Sequence, residues 1–292
     1  MFGPNTYISH NSKIDFSHRD KSFIKLFERV TNKFSDKFDL DDYDILFIPG
    51  SGTIGIESVF YSSKQPIKVI GEEGIFKAKW ELFSKIYSRD KANKSEIELF
   101  CQLETSESAV FEKENCIVDA ISSFPYYKLP KTSNIFITCT NKQLGGFPGL
   151  AIVCVKKNYW DHLKNSKEFS YLNLSRYLES HSINQTPHTT PTQIFEHFEF
   201  VIDNFQIEKL RNKIVNNSQK IAEAIGSQNI IGELTCPVIS IEKKNISDQL
   251  ANKYNLYGLR TNNPYYQIFT YACKDEDYDA FTSDLKNENS SL

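Results

Sequence analysis

The feature that most constrains the fold is a regular alternation of short apolar runs and longer amphipathic stretches over the first 190 residues. The runs at 44–50 (DILFIPG), 67–71 (IKVIG) and 150–157 (LAIVCVKK) are typical of buried strands, whereas 53–63 and 75–90 have the residue spacing of helices. Parallel strands need long crossover connections, which are usually helices. The alternation therefore predicts an α/β fold with a mostly parallel central sheet and helices on both faces.

The pattern changes beyond residue 190. Two helical stretches are followed by a smaller α+β segment, in which strand-like runs alternate with short helical ones; these stretches cover 191–205, 208–226, 236–242, 246–255, 265–272 and 276–285. We therefore predict a large domain over 1–200 and a small, shortened domain over 201–292, with a soft boundary near 195–205.

Charge and composition exclude several functional classes. With 34 basic and 37 acidic residues the formal net charge is −3, which argues against an electrostatic nucleic-acid binder. The longest apolar run, Leu150–Val155, is far shorter than the roughly 20 residues of a membrane helix, and the first residues lack the pattern of a signal peptide. The cysteines form no CxxC pair and the histidines no HExxH pattern. We therefore expect reduced thiols, a cytoplasmic location and no metal site.

The segment GSGTIGIE, at 50–57, follows a predicted strand and opens a predicted helix. Its glycines let the backbone approach a ligand closely, and the helix start offers free N–H groups at the positive end of the helix dipole. It matches neither the Walker A pattern nor GxGxxG. The segment is either a phosphate-binding loop or an ordinary glycine turn.

Two further segments carry ionisable side chains at predicted strand ends. Asp119 ends the run CIVDA, where open α/β sheets bind ligands, although a helix cap or surface turn would also explain it. Lys142 lies between the run NIFITCT and the turn GGFPG. A lysine near an apolar sheet end can have a lowered pKa and act as a nucleophile, although most lysines are simply solvated.

In this order the segments resemble the class V aminotransferases, which are fold-type-I enzymes that use pyridoxal 5'-phosphate (PLP). The closest resemblance is to 2-aminoethylphosphonate–pyruvate transaminases and to alanine–glyoxylate or serine–pyruvate aminotransferases. It covers residues 2 to 204 and is carried by GSGTIGIES, EGIFKAK, ETSESAV, VDAISSF and TNKQLGGFPGLAIV. The resemblance implies a fold-type-I architecture with a small C-terminal α+β lobe.

The resemblance also assigns roles to individual residues. Lys142 would form the Schiff base with PLP and later carry the Cα proton as general acid and base. Asp119 would pair with the pyridinium nitrogen and keep it protonated. Phe76 would stack on the ring. The remaining cofactor-binding residues implied by the resemblance are Ser51, Gly52, Thr53, Thr105, Thr140 and Thr189.

The implied activity is transfer of an amino group from a small amine or amino acid to a 2-oxo acid such as pyruvate or glyoxylate. Thr189, in HTTP, resembles a family segment that reaches the phosphate of the partner subunit. The resemblance therefore implies a homodimer with shared active sites. The net charge and the short apolar runs predict no nucleic-acid or membrane partner.

The chain departs from the family pattern at several positions. Lys77 and Lys79 stand where the family stretch has glycine and arginine, and Ala109 stands where glycine is usual. Gln267 occupies the place of the arginine that holds the substrate carboxylate, and a bidentate arginine is not replaced by glutamine without loss. Arg260 either compensates for this loss or is a surface residue.

These departures leave two alternatives open. The loss of the carboxylate-binding arginine favours a PLP-dependent decarboxylase or lyase, because the fate of the Cα bonds depends on how the carboxylate is held. The accumulated departures favour a non-catalytic relative that acts as a binding subunit. Cysteine desulfurases are set aside, because Asn141 rather than histidine precedes Lys142.

Overall fold

The computed structural model describes residues 17–91, 94–258 and 263–289. The helices are α1 (Lys21–Phe38), α2 (Gly52–Ser62), α3 (Ile75–Tyr87), α4 (Leu174–His181), α5 (Thr192–Asn204), α6 (Ile207–Ile225), α7 (Asp248–Lys253) and α8 (Asp275–Asn289). The strands are β1 (Tyr43–Pro49), β2 (Ile67–Ile70), β3 (Ile97–Cys101), β4 (Leu103–Glu104), β5 (Ala109–Val110), β6 (Ile117–Asp119), β7 (Ile135–Cys139), β8 (Leu150–Lys156), β9 (Ile230–Ile231), β10 (Val238–Glu242) and β11 (Tyr265–Phe269).

The central sheet has the strand order β1-β8-β7-β6-β3-β2. The neighbours β2, β3, β6 and β7 are parallel, whereas β8 runs antiparallel to both β7 and β1. Strand β1 therefore points the same way as the four parallel strands, and the predicted mostly parallel sheet is confirmed. The carboxyl ends of five strands lie along one edge, which is where open α/β sheets bind ligands.

Helices cover both faces of this sheet. Helices α1 and α5 form an aromatic layer on one face, in which the rings of Phe27 and Phe195 pack against that of Phe47 in β1. On the other face, side chains of α2, α3 and α4, including Trp80, pack against residues such as Ile137. Because both faces are buried, the strands are apolar at nearly every position, and this explains the continuous runs in the sequence.

The second half of the chain forms a separate three-stranded sheet with the order β11-β10-β9. Helix α6 packs against α8, and residues of α6, α7 and α8 share a buried cluster with the sheet, including Ile221, Ile239, Ile268 and Phe281. Helix α5 instead packs on α1, at the central sheet. The chain therefore passes from the central sheet to the small sheet between the end of α5 at Asn204 and the start of α6 at Ile207. The division into domains at residue 200 stays a prediction.

A further buried cluster connects the small sheet to the two-stranded sheet that β4 forms with β5. Leu103 of β4 shares this cluster with Ile214 of α6, Val238 of β10 and Phe269 of β11. Gln267 of β11 also donates a hydrogen bond from Nε2 to the carbonyl oxygen of Thr105. The small sheet is therefore attached to the loop that follows β4.

Residues 17–91, 94–258 and 263–289 contain no helix that is long and apolar enough to span a bilayer. The same residues contain no cluster of three or more histidine, cysteine or acidic side chains that could hold a metal ion. None of the six cysteines forms a disulfide within the described residues, and all except Cys273 are buried.

His181 makes the stability of the fold depend on pH. Its Nδ1 donates a hydrogen bond to the carbonyl oxygen of Ile45 at 3.1 Å, and its ring packs 4.7 Å from that of Phe27. Burial lowers the pKa of His181 from 6.5 to about 4. Between pH 4 and pH 6.5 the unfolded chain therefore holds a proton on His181 that the folded chain does not hold. Acidification through this range lowers the free energy of unfolding by up to about 3 kcal/mol.

We expect His181→Gln to flatten the decrease in unfolding free energy between pH 6.5 and pH 4, as measured by urea denaturation. His162→Gln serves as the control, because His162 is an exposed histidine. Equal slopes for the wild type and His181→Gln would contradict the assignment.

Candidate active site

Three chain segments bring functional side chains to the carboxyl edge of the parallel strands. Residues 51–53 follow β1, Asp119 is the last residue of β6, and Lys142 lies just beyond the end of β7. Strands β6 and β7 are neighbours, and β8 alone separates β7 from β1. The sheet therefore brings together three segments that are far apart in the sequence.

These segments enclose a cavity of about 250 Å³. The residues that line it are Ser51, Gly52, Thr53, Phe76, Trp80, Cys101, Asp119, Ile121, Ser122, Cys139, Asn141 and Lys142. Six of them are site residues predicted from the sequence: Ser51, Gly52, Thr53, Phe76, Asp119 and Lys142. The cavity is suited to a single small ligand, since drug-sized ligands take about 300 Å³ or more.

Asp119 presents a buried carboxylate to this cavity. Its Oδ1 accepts a hydrogen bond from the backbone N–H of Ile121 at 3.0 Å, and its Oδ2 accepts one from Trp80 Nε1 at 2.8 Å. Burial raises the pKa of Asp119 to about 6, and the two hydrogen bonds counteract this rise because they stabilise the charged form. No cation among the described residues forms an ion pair with this carboxylate, so it can stabilise a cationic group of a ligand.

Lys142 presents its amine to the same cavity. Burial is the largest influence on its pKa and lowers it, while Cys139 and Asp119 act in the opposite direction. Within residues 17–91, 94–258 and 263–289, Lys142 Nζ forms neither a hydrogen bond nor an ion pair. A lowered pKa leaves more of the amine neutral, and the neutral amine is the nucleophilic form.

The start of α2 forms one side of the cavity. Gly50 has a φ of +137°, a conformation that L side chains rarely adopt, and it turns the chain from β1 into the helix. A Cβ on Gly52 would lie 2.6 Å from Ile121 Cδ1, so glycine lets the helix start lie against the segment that follows Asp119. No acidic side chain occupies the first turn of α2, and Ser51 caps none of its N–H groups. These N–H groups can bind an anion.

Helix α3 supplies two aromatic rings to the cavity. Phe76 and Trp80 lie one turn apart, with ring centroids 6.1 Å apart. Glu104 fixes the helix start, because its Oε2 accepts hydrogen bonds from the backbone N–H groups of Phe76 at 3.0 Å and Lys77 at 3.1 Å. A Cβ on Gly74 would lie only 2.1 Å from Glu104 Cγ, so this contact requires glycine. The pair of rings suits a flat, unsaturated ligand.

Four of the residues predicted from the sequence do not line the cavity. Thr140 donates a hydrogen bond from Oγ1 to the carbonyl oxygen of Phe147 at 2.6 Å and so closes the loop after β7. The carbonyl oxygen of Thr105 accepts a hydrogen bond from Gln267 Nε2. Thr189 is exposed. The cofactor and substrate roles of these four residues stay predictions. Arg260 lies outside the described residues.

Trp80, Cys101 and Cys139 also line the cavity, although the sequence did not lead us to predict them there. Trp80 follows Phe76 by four residues, so helical spacing alone could have placed both side chains on one face. Cys101 lies beside Asp119 because β3 and β6 pair in that register. No local pattern indicates this pairing, since it depends on the alignment of two strands.

A larger groove, of about 710 Å³, lies between the end of α1 and the start of α6. Its lining combines apolar side chains such as Phe38 and Phe205 with the charged residues Asp39, Glu208 and Arg211. Arg211 is already paired with Glu208 at 2.6 Å. We place the candidate active site in the smaller cavity, because there an amine, a carboxylate and a helix start converge.

The chain matches no protein-family model and no curated protein sequence. Solved structures, however, match it over nearly its whole length. An aspartate aminotransferase of subgroup IV from Thermus thermophilus superposes with a TM-score of 0.80 at 13% identity, covering 99% of this chain and 98% of that one. An alanine–glyoxylate aminotransferase from Nostoc sp. superposes with a TM-score of 0.78 at 14% identity, covering 98% and 93%.

A phosphoserine aminotransferase from Trichomonas vaginalis, solved with PLP bound, superposes with a TM-score of 0.73 at 16% identity. The match covers 93% of this chain and 90% of that one. At such low identity these likenesses concern the fold, and they confirm the predicted fold class.

Proposed function

We propose that this chain is a PLP-dependent aminotransferase of class V that moves an amino group from a small amine or amino acid to a 2-oxo acid such as pyruvate or glyoxylate. The observation that carries the proposal is the convergence of Lys142 and Asp119 on one cavity beside the start of α2. Each group lacks an ion-pair partner among the described residues, and each suits one end of the same cofactor. The aminotransferase folds matched above support the proposal.

The residues of the cavity fit PLP. The buried Asp119 carboxylate suits a protonated pyridine nitrogen, because a buried charge without a counter-ion is costly. The uncapped start of α2 suits a phosphate, and Phe76 offers a ring face. When bound, PLP supplies an aldehyde that exchanges amino groups and a ring that delocalises electrons.

The chain's own residues would position the reactants and move the proton. Lys142, whose pKa is lowered by burial, would hold the aldehyde group of the cofactor and would take and return the substrate Cα proton. Asp119, whose carboxylate is fixed by hydrogen bonds from Trp80 and Ile121, would hold the ring nitrogen in its protonated form. Burial of both groups excludes water from them and so strengthens these interactions.

Absorption spectroscopy of the purified protein with PLP tests the proposal. We expect a visible band that disappears on borohydride reduction and leaves the pyridoxyl label on Lys142 in peptide mapping. Addition of an amino donor should bleach the band, and pyruvate or glyoxylate should restore it with formation of the corresponding amino acid. No band even with excess PLP would favour the non-catalytic alternative.

One observation favours the second candidate, a PLP-dependent decarboxylase or lyase. Gln267 stands where the family has its carboxylate-binding arginine, and its amide is engaged with the carbonyl oxygen of Thr105. Which bond to the substrate Cα breaks depends on how the carboxylate is held, so the missing arginine allows the bond to the carboxylate to be the one that breaks. Release of carbon dioxide or an aldehyde, without transfer of the amino group, would establish this reaction instead.

We also propose that the enzyme is a homodimer with shared active sites. Helix α3 has an apolar stripe opposite its buried face, formed by Ile75, Leu82 and Ile86, which are 60%, 56% and 48% exposed. The same helix carries Phe76 of the cavity, so a second copy packed on this stripe would lie beside the site. The exposed Thr189 is accessible to such a copy. A cytoplasmic location stays a prediction, which the free cysteines support.

Light scattering coupled to size-exclusion chromatography tests the interface. We expect the double variant Leu82→Glu/Ile86→Glu to shift the protein from dimer to monomer, because two charges would be buried without partners. Leu234→Glu replaces an apolar residue that is 42% exposed outside α3, and it should remain dimeric. A dimer that persists in the double variant would place the interface elsewhere.

A further inference from the structure

Lys79 lies on α3 between two residues of the cavity and extends to the start of α2. Its Nζ donates a hydrogen bond to Thr53 Oγ1 at 3.2 Å and lies 5.3 Å from the centre of the Trp80 ring. Thr53 belongs to the first turn of α2 and lines the cavity. The ammonium group is therefore close to the place where the N–H groups of α2 begin.

The charges at this place do not balance within the chain. The start of a helix carries a partial positive charge, and an ammonium group nearby adds a full one. The first turn of α2 contains no acidic residue, and Lys79 forms no ion pair within the described part of the chain. Asp119, the acidic residue of the cavity, is already bonded to Trp80 and Ile121. An anion at the start of α2 would neutralise this excess of positive charge.

The hydrogen bond between Lys79 and Thr53 also orients the hydroxyl group. A threonine hydroxyl has one proton to donate and two lone pairs that accept. Because Oγ1 accepts from the ammonium group, its own proton remains available to a ligand oxygen. Lys79 and Thr53 together then present two donors, in addition to the backbone N–H groups, to an acceptor-rich ligand such as a phosphate monoester.

We propose that Lys79 is a phosphate-binding residue of this site, which supplies a positive charge to the phosphate group of the bound cofactor at the start of α2. The inference rests on the proposed function, because it assigns the phosphate to PLP. It adds a cationic contact from α3 to a subsite otherwise formed by α2. A compact ammonium group acts there as a point charge that tolerates small shifts of the phosphate.

Equilibrium binding to the apoprotein tests this role without relying on activity. We expect Lys79→Gln to raise the Kd for PLP about 10- to 150-fold, the range of one charge-assisted hydrogen bond. Its Kd for pyridoxal, which lacks the phosphate, should equal that of the wild type. Lys79→Arg keeps the charge and should retain most of the affinity for PLP. Lys85→Ala removes an exposed charge from the same helix and should leave both constants unchanged.

A second probe, inorganic phosphate, distinguishes a failure of the role of Lys79 from a failure of the proposed function. We expect phosphate to raise the melting temperature of the wild-type apoprotein more than that of Lys79→Gln. Wild-type affinity of Lys79→Gln for PLP, or an equal loss in Lys85→Ala, would overturn the role of Lys79 while leaving the proposed function intact. A wild type that binds phosphate in a Lys79-dependent manner but does not bind PLP would overturn the proposed function instead.

Discussion

Replacing Lys142 by alanine is expected to reduce amino transfer at least about 10⁴-fold and to abolish labelling of the protein by PLP and borohydride. Lys142 carries the only amine among the described residues that line the cavity, whereas the amine of Lys79 is bonded to Thr53 at the start of α2, where we place the phosphate. Lys142→Arg keeps a positive charge but is not a nucleophile, and it should be as inactive as the alanine variant.

The Lys142→Ala substitution should not unfold the protein. The amine of Lys142 is buried, and no ion pair within the described residues compensates the cost of burying its charge. Its removal should therefore leave the melting temperature unchanged or raise it. Lys131→Ala changes an exposed lysine of a preceding loop and serves as the activity control. Substantial amino transfer by a folded Lys142→Ala protein would exclude the proposed mechanism.

Replacing Asp119 by asparagine is expected to reduce kcat by about 10²- to 10³-fold while PLP still binds. The amide has nearly the same shape and can retain one of the two hydrogen bonds, but it carries no charge to keep a ring nitrogen protonated. The loss should therefore fall mainly on kcat rather than on KM. Single-turnover measurements on the isolated variant, reconstituted with excess PLP, distinguish an effect on the chemical step from an effect on substrate binding.

The hydrogen bond between Trp80 and Asp119 provides a second, graded test of the same carboxylate. Trp80→Phe keeps an aromatic ring but removes the Nε1–H that donates to Oδ2. Because this bond stabilises the charged carboxylate, its loss raises the pKa of Asp119. The acid limb of the kcat/KM profile should therefore move to higher pH in Trp80→Phe.

Asp119→Asn serves as the reference for this profile, because it lacks the titrating group and should show no such limb. Phe83→Leu, a change farther along the same helix, controls for a general loosening of α3. An unshifted acid limb in Trp80→Phe would show that a different group controls the profile.

The sequence predicts the mostly parallel sheet, and it predicts that the candidate site lies at the carboxyl edge of that sheet. Strands that are buried on both faces must be apolar at nearly every position, so the runs at β7 and β8 can be recognised without a structure. The carboxyl ends of parallel strands meet at one edge, and this brings residues 51–53, Asp119 and Lys142 together. The roles predicted for these three groups came from the resemblance to class V aminotransferases, because each residue type taken alone also has an ordinary structural explanation.

Only the tertiary structure decided the remaining features. The antiparallel direction of β8 was not predicted, although the ten residues between β7 and β8 are too few for the crossover that parallel neighbours need. The contacts of Trp80 with Asp119 and of Lys79 with Thr53 depend on the rotation and position of α3 against the sheet. Gln267 lies on the small sheet, and its position against the loop at Thr105 depends on the packing of that sheet. Such contacts join residues that are 26 to 162 positions apart, so no local pattern encodes them.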